Sequence, residues 1–172
     1  KNEMNKIKAE IDKSEYGYDD FLNYRIDGIW LDEKLDILYP NNWYGGTIPT
    51  LSFGMEIKKE EEIVWERILP KENSKSNCPI LMCPDDCDFS CTLIIAEVED
   101  CENTVKWHRL GIDKTIEYNA EKVGSEVEWF DKVNSFEFKK SDYEVMITQF
   151  QNQLKIDKEK WERRNRNYLK EN

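Results

Sequence analysis

A chain of 172 residues with a formal net charge of −11 has the length of one domain and enough mass to bury a core. That sign of charge argues against nucleic acid and anionic membrane as partners, because both are held by clustered Lys and Arg. Although 35% of residues are charged, six Trp, eight Tyr and seven Phe supply the aromatic burial that offsets chain entropy, which excludes a disordered chain.

In chain order, Met4, Ile7 and Ile11 fall at i, i+3 and i+7 and predict a short amphipathic helix, ended by Tyr16-Gly17-Tyr18. Phe21 to Ile26 and Ile29 to Leu31 flank Asp27-Gly28, a pair that accepts the positive φ values of a type I′ hairpin turn. Pro40 to Gly46 is a turn-rich loop that offers Trp43 and Tyr44 as exposed contact residues. Leu51 to Met55 fits a helix or a strand, and the alternation of Ile63, Trp65 and Arg67 before Pro70 reads as a strand. Lys71 to Asn77 has no apolar residue and is expected to be a surface loop.

Pro79 to Cys83 and Cys91 to Val98 are nearly continuous apolar runs, as in strands buried on both faces. Asp100 to Asn103 then turns into a strand over Thr104 to Leu110, making a second hairpin. Strands at Val127 to Phe130 and Phe136 to Phe138 lead to a helix from about Ser141, striped by Tyr143, Met146, Ile147, Phe150 and Leu154. Beyond it, Trp161 and Tyr168 keep heptad spacing, but Asp157 and Arg164 occupy the second row, so a solvated helical tail is expected rather than a coiled coil. From Lys155 to Asn172 seven Lys or Arg stand against four Asp or Glu, a local +3. The acidity therefore belongs to the body. The expected architecture is a single α+β domain over residues 1–172. It has an antiparallel β-sheet built from hairpins, a short N-terminal helix in an appendage of residues 1–20, a long C-terminal helix and a charged helical tail over 155–172.

No run approaches the roughly 18 apolar residues of a membrane span, and Lys1-Asn2-Glu3 is not followed by the apolar core of a signal peptide. Five cysteines are an odd number, which disfavours a full disulfide framework and suits reduced thiols in a cytoplasmic protein. The spacing Cys78-x4-Cys83-x3-Cys87-x3-Cys91 lacks the C-x2-C knuckles of structural zinc sites, so these thiols are read as small buried apolar groups, with no metal or cofactor. Asp85, Asp86 and Asp88 have the oxygen ligands of a divalent-cation site, and equally the habit of Asp to bond its own backbone in turns. His108 is the single histidine, which leaves a pairing with Cys83 or Cys91 as the one familiar nucleophilic arrangement. Phosphate-binding glycine loops and the G-x-S-x-G elbow are absent.

Val64 to Pro70, Cys83-Pro84-Asp85-Asp86 with Asp88, Ser90-Cys91-Thr92 and Ala96-Glu97-Val98 form one half of a set. Val105-x-Trp107-x-Arg109-Leu110-Gly111, Val127 to Phe130, Phe136-x-Phe138 and Tyr143 form the other. Together this set, spanning Ile26 to Phe150, resembles small bacterial proteins similar to the immunity partners of polymorphic or contact-dependent toxins. The resemblance implies a non-catalytic protein that binds and neutralises a cognate toxin domain. Toxins that degrade nucleic acid present basic clefts, which an acidic body meets with fast association. Trp43, Tyr44, Asp85, Asp86 and Asp88 are the expected partner contacts, since aromatic anchors dominate binding energy. A self-associating structural protein joined through the last helix, and a thiol- or metal-dependent protein using the Cys78 to Cys91 cluster, are the alternatives. The sequence leaves the oligomeric state open.

Overall fold

The computed structural model describes residues 3–13, 20–117 and 119–171. The breaker expected at Tyr16-Gly17-Tyr18 lies outside them. The first hairpin is as expected: β2 (Phe21–Ile26) turns into β3 (Ile29–Trp30) through Asp27 at φ 51° and Gly28 at φ 81°, the two positive values of a type I′ turn.

The N-terminal segment is a strand and not a helix. β1 (Ile7–Asp12) runs antiparallel to β2, from Ile7 opposite Ile26 to Asp12 opposite Phe21. Ile7 and Ala9 point inward while Lys8 is exposed, so the same residues that match a helical spacing also alternate with period two. The hairpin beside them decides the outcome, because it offers the backbone a ready ladder.

Helix α1 (Leu31–Leu38) follows β3 without a break and buries Leu31 and Leu35. Leu51 to Met55 forms turns, and β4 (Ile48–Pro49) is a two-residue strand. The strand expected at Ile63 is instead part of helix α2 (Lys58–Arg67). Its buried residues Glu60, Ile63 and Val64, followed by buried Ile68, lie three, four and eight positions along, which is one helical face.

The larger sheet contains β5 (Lys75–Met82), β6 (Leu93–Asp100), β7 (Thr104–Asp113), β8 (Val127–Trp129) and β9 (Phe136–Lys139), all antiparallel. Its order is β4-β5-β6-β7-β8, and β9 pairs with β7 as well. The ten-residue β7 divides its outer edge, with Thr104 to Trp107 against β9 and Gly111 to Asp113 against β8. The polar run expected to be loop gives its last residues to β5, where Lys75, Ser76 and Asn77 pair with Glu99, Val98 and Glu97. Helix α3 (Lys140–Glu171) closes the chain. It buries Tyr143, Met146, Ile147 and Phe150, and is exposed from Lys158 onward. The α+β class, the antiparallel sheets and the long C-terminal helix stand; the short helices lie within the body.

One core joins both sheets to α3. The Trp107 ring meets Tyr24 of β2 edge-on at 5.8 Å and Phe138 of β9 at 5.3 Å, while Tyr24 lies 5.3 Å from Phe150. The Trp107 indole N–H donates to the Tyr143 hydroxyl at 3.1 Å, and that hydroxyl donates to the Ile68 carbonyl at 2.6 Å. This chain of bonds satisfies the Trp107 and Tyr143 polar atoms, whereas the buried Tyr24 hydroxyl of the same cluster has no hydrogen-bond partner.

Gly111 lets β8 approach β7: a Cβ there would stand 2.5 Å from the Glu128 carbonyl oxygen and 2.9 Å from the Trp129 Cα. Gly111→Ala is expected to cost about 1–3 kcal/mol as backbone is forced apart, read as a drop in the urea midpoint. An unchanged midpoint would show that β8 yields freely.

Candidate partner-binding surface

The loop between α1 and β4 is tied back to α1 near its β4 end. Asp32 and Asp36 lie one turn apart on that helix. The Asp36 carboxylate accepts the Gly45 N–H at 3.2 Å, and the Asp32 carboxylate accepts the Gly46 N–H at 3.0 Å. An added Cβ at Gly45 would lie 3.1 Å from the Asp36 carboxyl carbon, so a side chain there would have to displace the Asp36 carboxylate slightly. The clamp continues through buried Asn23, whose amide donates to Asp32 and to Asp12 of β1, each at 3.0 Å. Four segments are thus tied together by one network of carboxylates and amides.

This fixed loop turns Trp43 outward. Trp43 is 86% exposed and sits at φ 59°, a left-handed conformation that is costly for a bulky residue. Its neighbour Tyr44 goes the other way. Tyr44 is only 4% exposed, packs 5.3 Å from the Phe130 ring, and accepts a bond from Asn42 at 3.3 Å. The expected contact pair is therefore split: Trp43 is a surface residue, and Tyr44 is core. Adjacent loop residues carry no periodicity from which to tell them apart.

A groove of about 580 Å³ runs beside this loop. Asp12, Asp32 and Gly46 lie on one side, Phe53 and Pro84 on another, and Trp161 of α3 on a third. Burial pushes the Asp32 carboxyl up from its ordinary value, against the Gly46 and Asn23 donors that pull it down. The native state then holds this proton to higher pH than the unfolded chain does. Its contribution to stability is greatest with the carboxyl protonated and declines as pH rises from the ordinary carboxylate range through the raised native value. Subtracting the stability–pH curve of Asp32→Asn from that of the parent is expected to leave this downward slope, and a level difference would contradict it.

Asp85, Asp86 and Asp88 share the loop between β5 and β6. Asp85 and Asp86 are exposed, while Asp88 is half-buried and accepts the Ser90 N–H at 2.8 Å and the Ser90 hydroxyl. The turn role and the surface role are thus divided among them. Buried Glu60 of α2 accepts the Phe89 N–H at 2.9 Å and anchors the same loop to the body. Burial raises the Glu60 carboxyl above its ordinary value. Glu60 and Asp32 belong to this surface although neither stands out in the sequence; the signal in each case is an acid on the apolar face of a helix.

The cysteines do not form one cluster. Cys78 is fully buried, and burial drives its thiol far up, as expected of a small core residue. Cys83 and Cys87 are half-buried and Cys91 is exposed, which corrects their reading as core groups. His108 is remote from them. It lies 3.2 Å from Glu99, which also accepts from Cys101 at 3.2 Å. Glu99 opposes Lys75 at one end of the β5–β6 ladder, and Cys91 precedes Leu93 at the other, roughly 20 Å away at about 3.3 Å per residue. Burial and the Glu99 carboxylate both raise the Cys101 thiol, the reverse of what a nucleophile needs. Among the described residues no cysteine is paired with the histidine as a base.

The residues that carry the immunity-protein resemblance are largely structural. Trp107 and Tyr143 form the core, and the Arg109 guanidinium stacks 4.1 Å over the Trp129 ring. Arg67 donates to the carbonyls of Asn77, Val123 and Glu121 at 3.1, 2.7 and 2.8 Å. Among the described residues no helix is long and apolar enough to cross a membrane. Comparison with protein-family models, with curated proteins and with solved structures finds no match.

Proposed function

We propose that this chain is a non-catalytic binding protein of the immunity type, which captures and neutralises a basic toxin domain through an acidic surface anchored by Trp43. The observation that carries this reading is an indole 86% exposed on a loop whose backbone is strained and clamped. Such a loop loses little freedom on binding, so the anchor's contact energy is retained. The net charge of −11 steers a basic partner toward it, and the neighbouring groove, lined by Asp12, Asp20, Asp32, Glu33 and Asp157 against Lys13, Lys160 and Arg164, has an acidic excess that suits a basic group from that partner.

The test is co-purification with the products of the genes on either side, followed by an assay of toxicity. A one-to-one complex that silences a toxin's C-terminal domain is expected. Full neutralisation by a folded variant carrying Trp43→Ala and Asp85→Lys would overturn the proposed surface. Self-association through α3 is the second reading, favoured by Trp161, Tyr168 and Leu169, which are 54, 69 and 76% exposed. It requires that truncation after Leu154 convert an oligomer to monomer.

A further inference from the structure

The loop joining β5 to β6 brings two thiols and a carboxylate to one point. The Sγ atoms of Cys83 and Cys91 and a carboxylate oxygen of Asp86 all lie within 4.8 Å of one another. The chain achieves this by closing two turns at the head of a hairpin. The Cys87 N–H donates to the Cys83 carbonyl at 3.0 Å. On the return side, Glu60 holds the Phe89 N–H and Asp88 holds the Ser90 N–H, at 2.9 and 2.8 Å. With Met82 opposite Leu93 in the ladder, Cys83 and Cys91 leave from facing strand ends and are returned toward each other.

We propose that Cys83, Cys91 and Asp86 bind a single Zn²⁺ as a three-ligand site, with a water molecule in the fourth position. Paired thiolates select soft or borderline ions, and Ca²⁺ and Mg²⁺ demand oxygen-only sets, so the donor chemistry favours zinc. On binding, the two thiols release their protons to solvent, and the ligand charge of about −3 falls to about −1 with the ion in place. With the thiols protonated the site already carries about −1 from Asp86, so its net charge is unchanged by the exchange of two protons for Zn²⁺, and apparent affinity rises with pH.

The remaining thiols are excluded by where they point. Cys87 donates to the Pro84 carbonyl at 3.2 Å, Cys78 is buried in β5, and Cys101 is bonded to Glu99 at the other end of the sheet. The site stands independently of the partner-binding reading, from which it removes only Asp86.

Cobalt titration of the whole, fully reduced chain tests the site, since Co²⁺ takes zinc's geometry and reports thiolate ligation by colour. One equivalent is expected to produce a thiolate-to-cobalt charge-transfer band that Zn²⁺ abolishes by displacement. The band should vanish in a variant with Cys83→Ser and Cys91→Ser, and persist in Cys87→Ser and Cys101→Ser. Asp86→Asn should weaken Co²⁺ binding by at least about tenfold, the effect that even an outer partner's loss produces. Circular dichroism establishes that each variant is folded, and Zn²⁺ should raise the melting midpoint of the parent but not of the double variant. Absence of the band in the reduced parent, its survival in the double variant, or its loss in Cys87→Ser would each overturn the assignment.

Discussion

Trp107→Ala should cost about 3–5 kcal/mol of folding stability, the range for emptying a buried aromatic site. A domain of ordinary stability has only about 5–15 kcal/mol in total, so much of the ensemble would unfold under mild denaturant. The reason lies in what converges on this side chain. It is fully buried and touches rings from the small sheet, the large sheet and α3, with Tyr24, Phe136, Phe138 and Tyr143 all within 6.4 Å. Truncation also leaves the Tyr143 hydroxyl without its donor, although its bond to Ile68 remains. Trp107→Phe separates the two contributions: it keeps a ring and removes the N–H, and its cost should be clearly smaller. Urea unfolding followed by far-ultraviolet circular dichroism reads both. Equal losses for Ala and Phe would mean that the hydrogen bond, and not the cavity, dominates.

Trp43 gives the opposite pattern. Trp43→Ala should leave stability nearly unchanged, because an indole 86% exposed has few contacts to lose. Trp43→Gly should raise stability by about 1 kcal/mol by relieving the strain of φ 59°. Both should weaken capture of the cognate partner by about 2–4 kcal/mol, the loss typical of a central aromatic anchor. Isothermal titration against the toxin domain proposed as partner checks the affinity, and thermal melting checks the fold. A glycine variant that is more stable and still binds at full strength would remove Trp43 from the interface.

The parts of this molecule that could be read from its sequence are those in which local chemistry suffices. Asp27-Gly28 determines its own turn, and Tyr143, Met146, Ile147 and Phe150 mark the buried face of α3 without help from elsewhere. The N-terminal segment was ambiguous because Ile7 and Ile11 satisfy a helix, while Ile7 and Ala9 satisfy a strand. Pairing with Phe21 to Ile26, a tertiary fact, resolves it. Around Ile63 the alternation of bulky residues masked a better helical register through Glu60, Val64 and Ile68. Leu31, Leu35 and Leu38 have helical spacing too, but they follow a hairpin arm so closely that the strand reading ran into them. At the surface, Trp43 was legible as a loop aromatic, whereas the acids that hold its loop were not. Asp32 and Asp36 matter because residues fourteen and nine positions on fold back over them, and no spacing rule encodes that return. The thiol pair escaped for the same reason, since Cys83 and Cys91 are neighbours only across the head of a hairpin.

The division of β7 between β8 and β9 bears on how a partner can attach. Beyond β7 the large sheet ends in two strands of three and four residues rather than in one continuous edge. On that side a peptide adding a strand finds at most four residues of backbone in one line to pair with. Recognition on that side is left to side chains, which makes it sensitive to single substitutions.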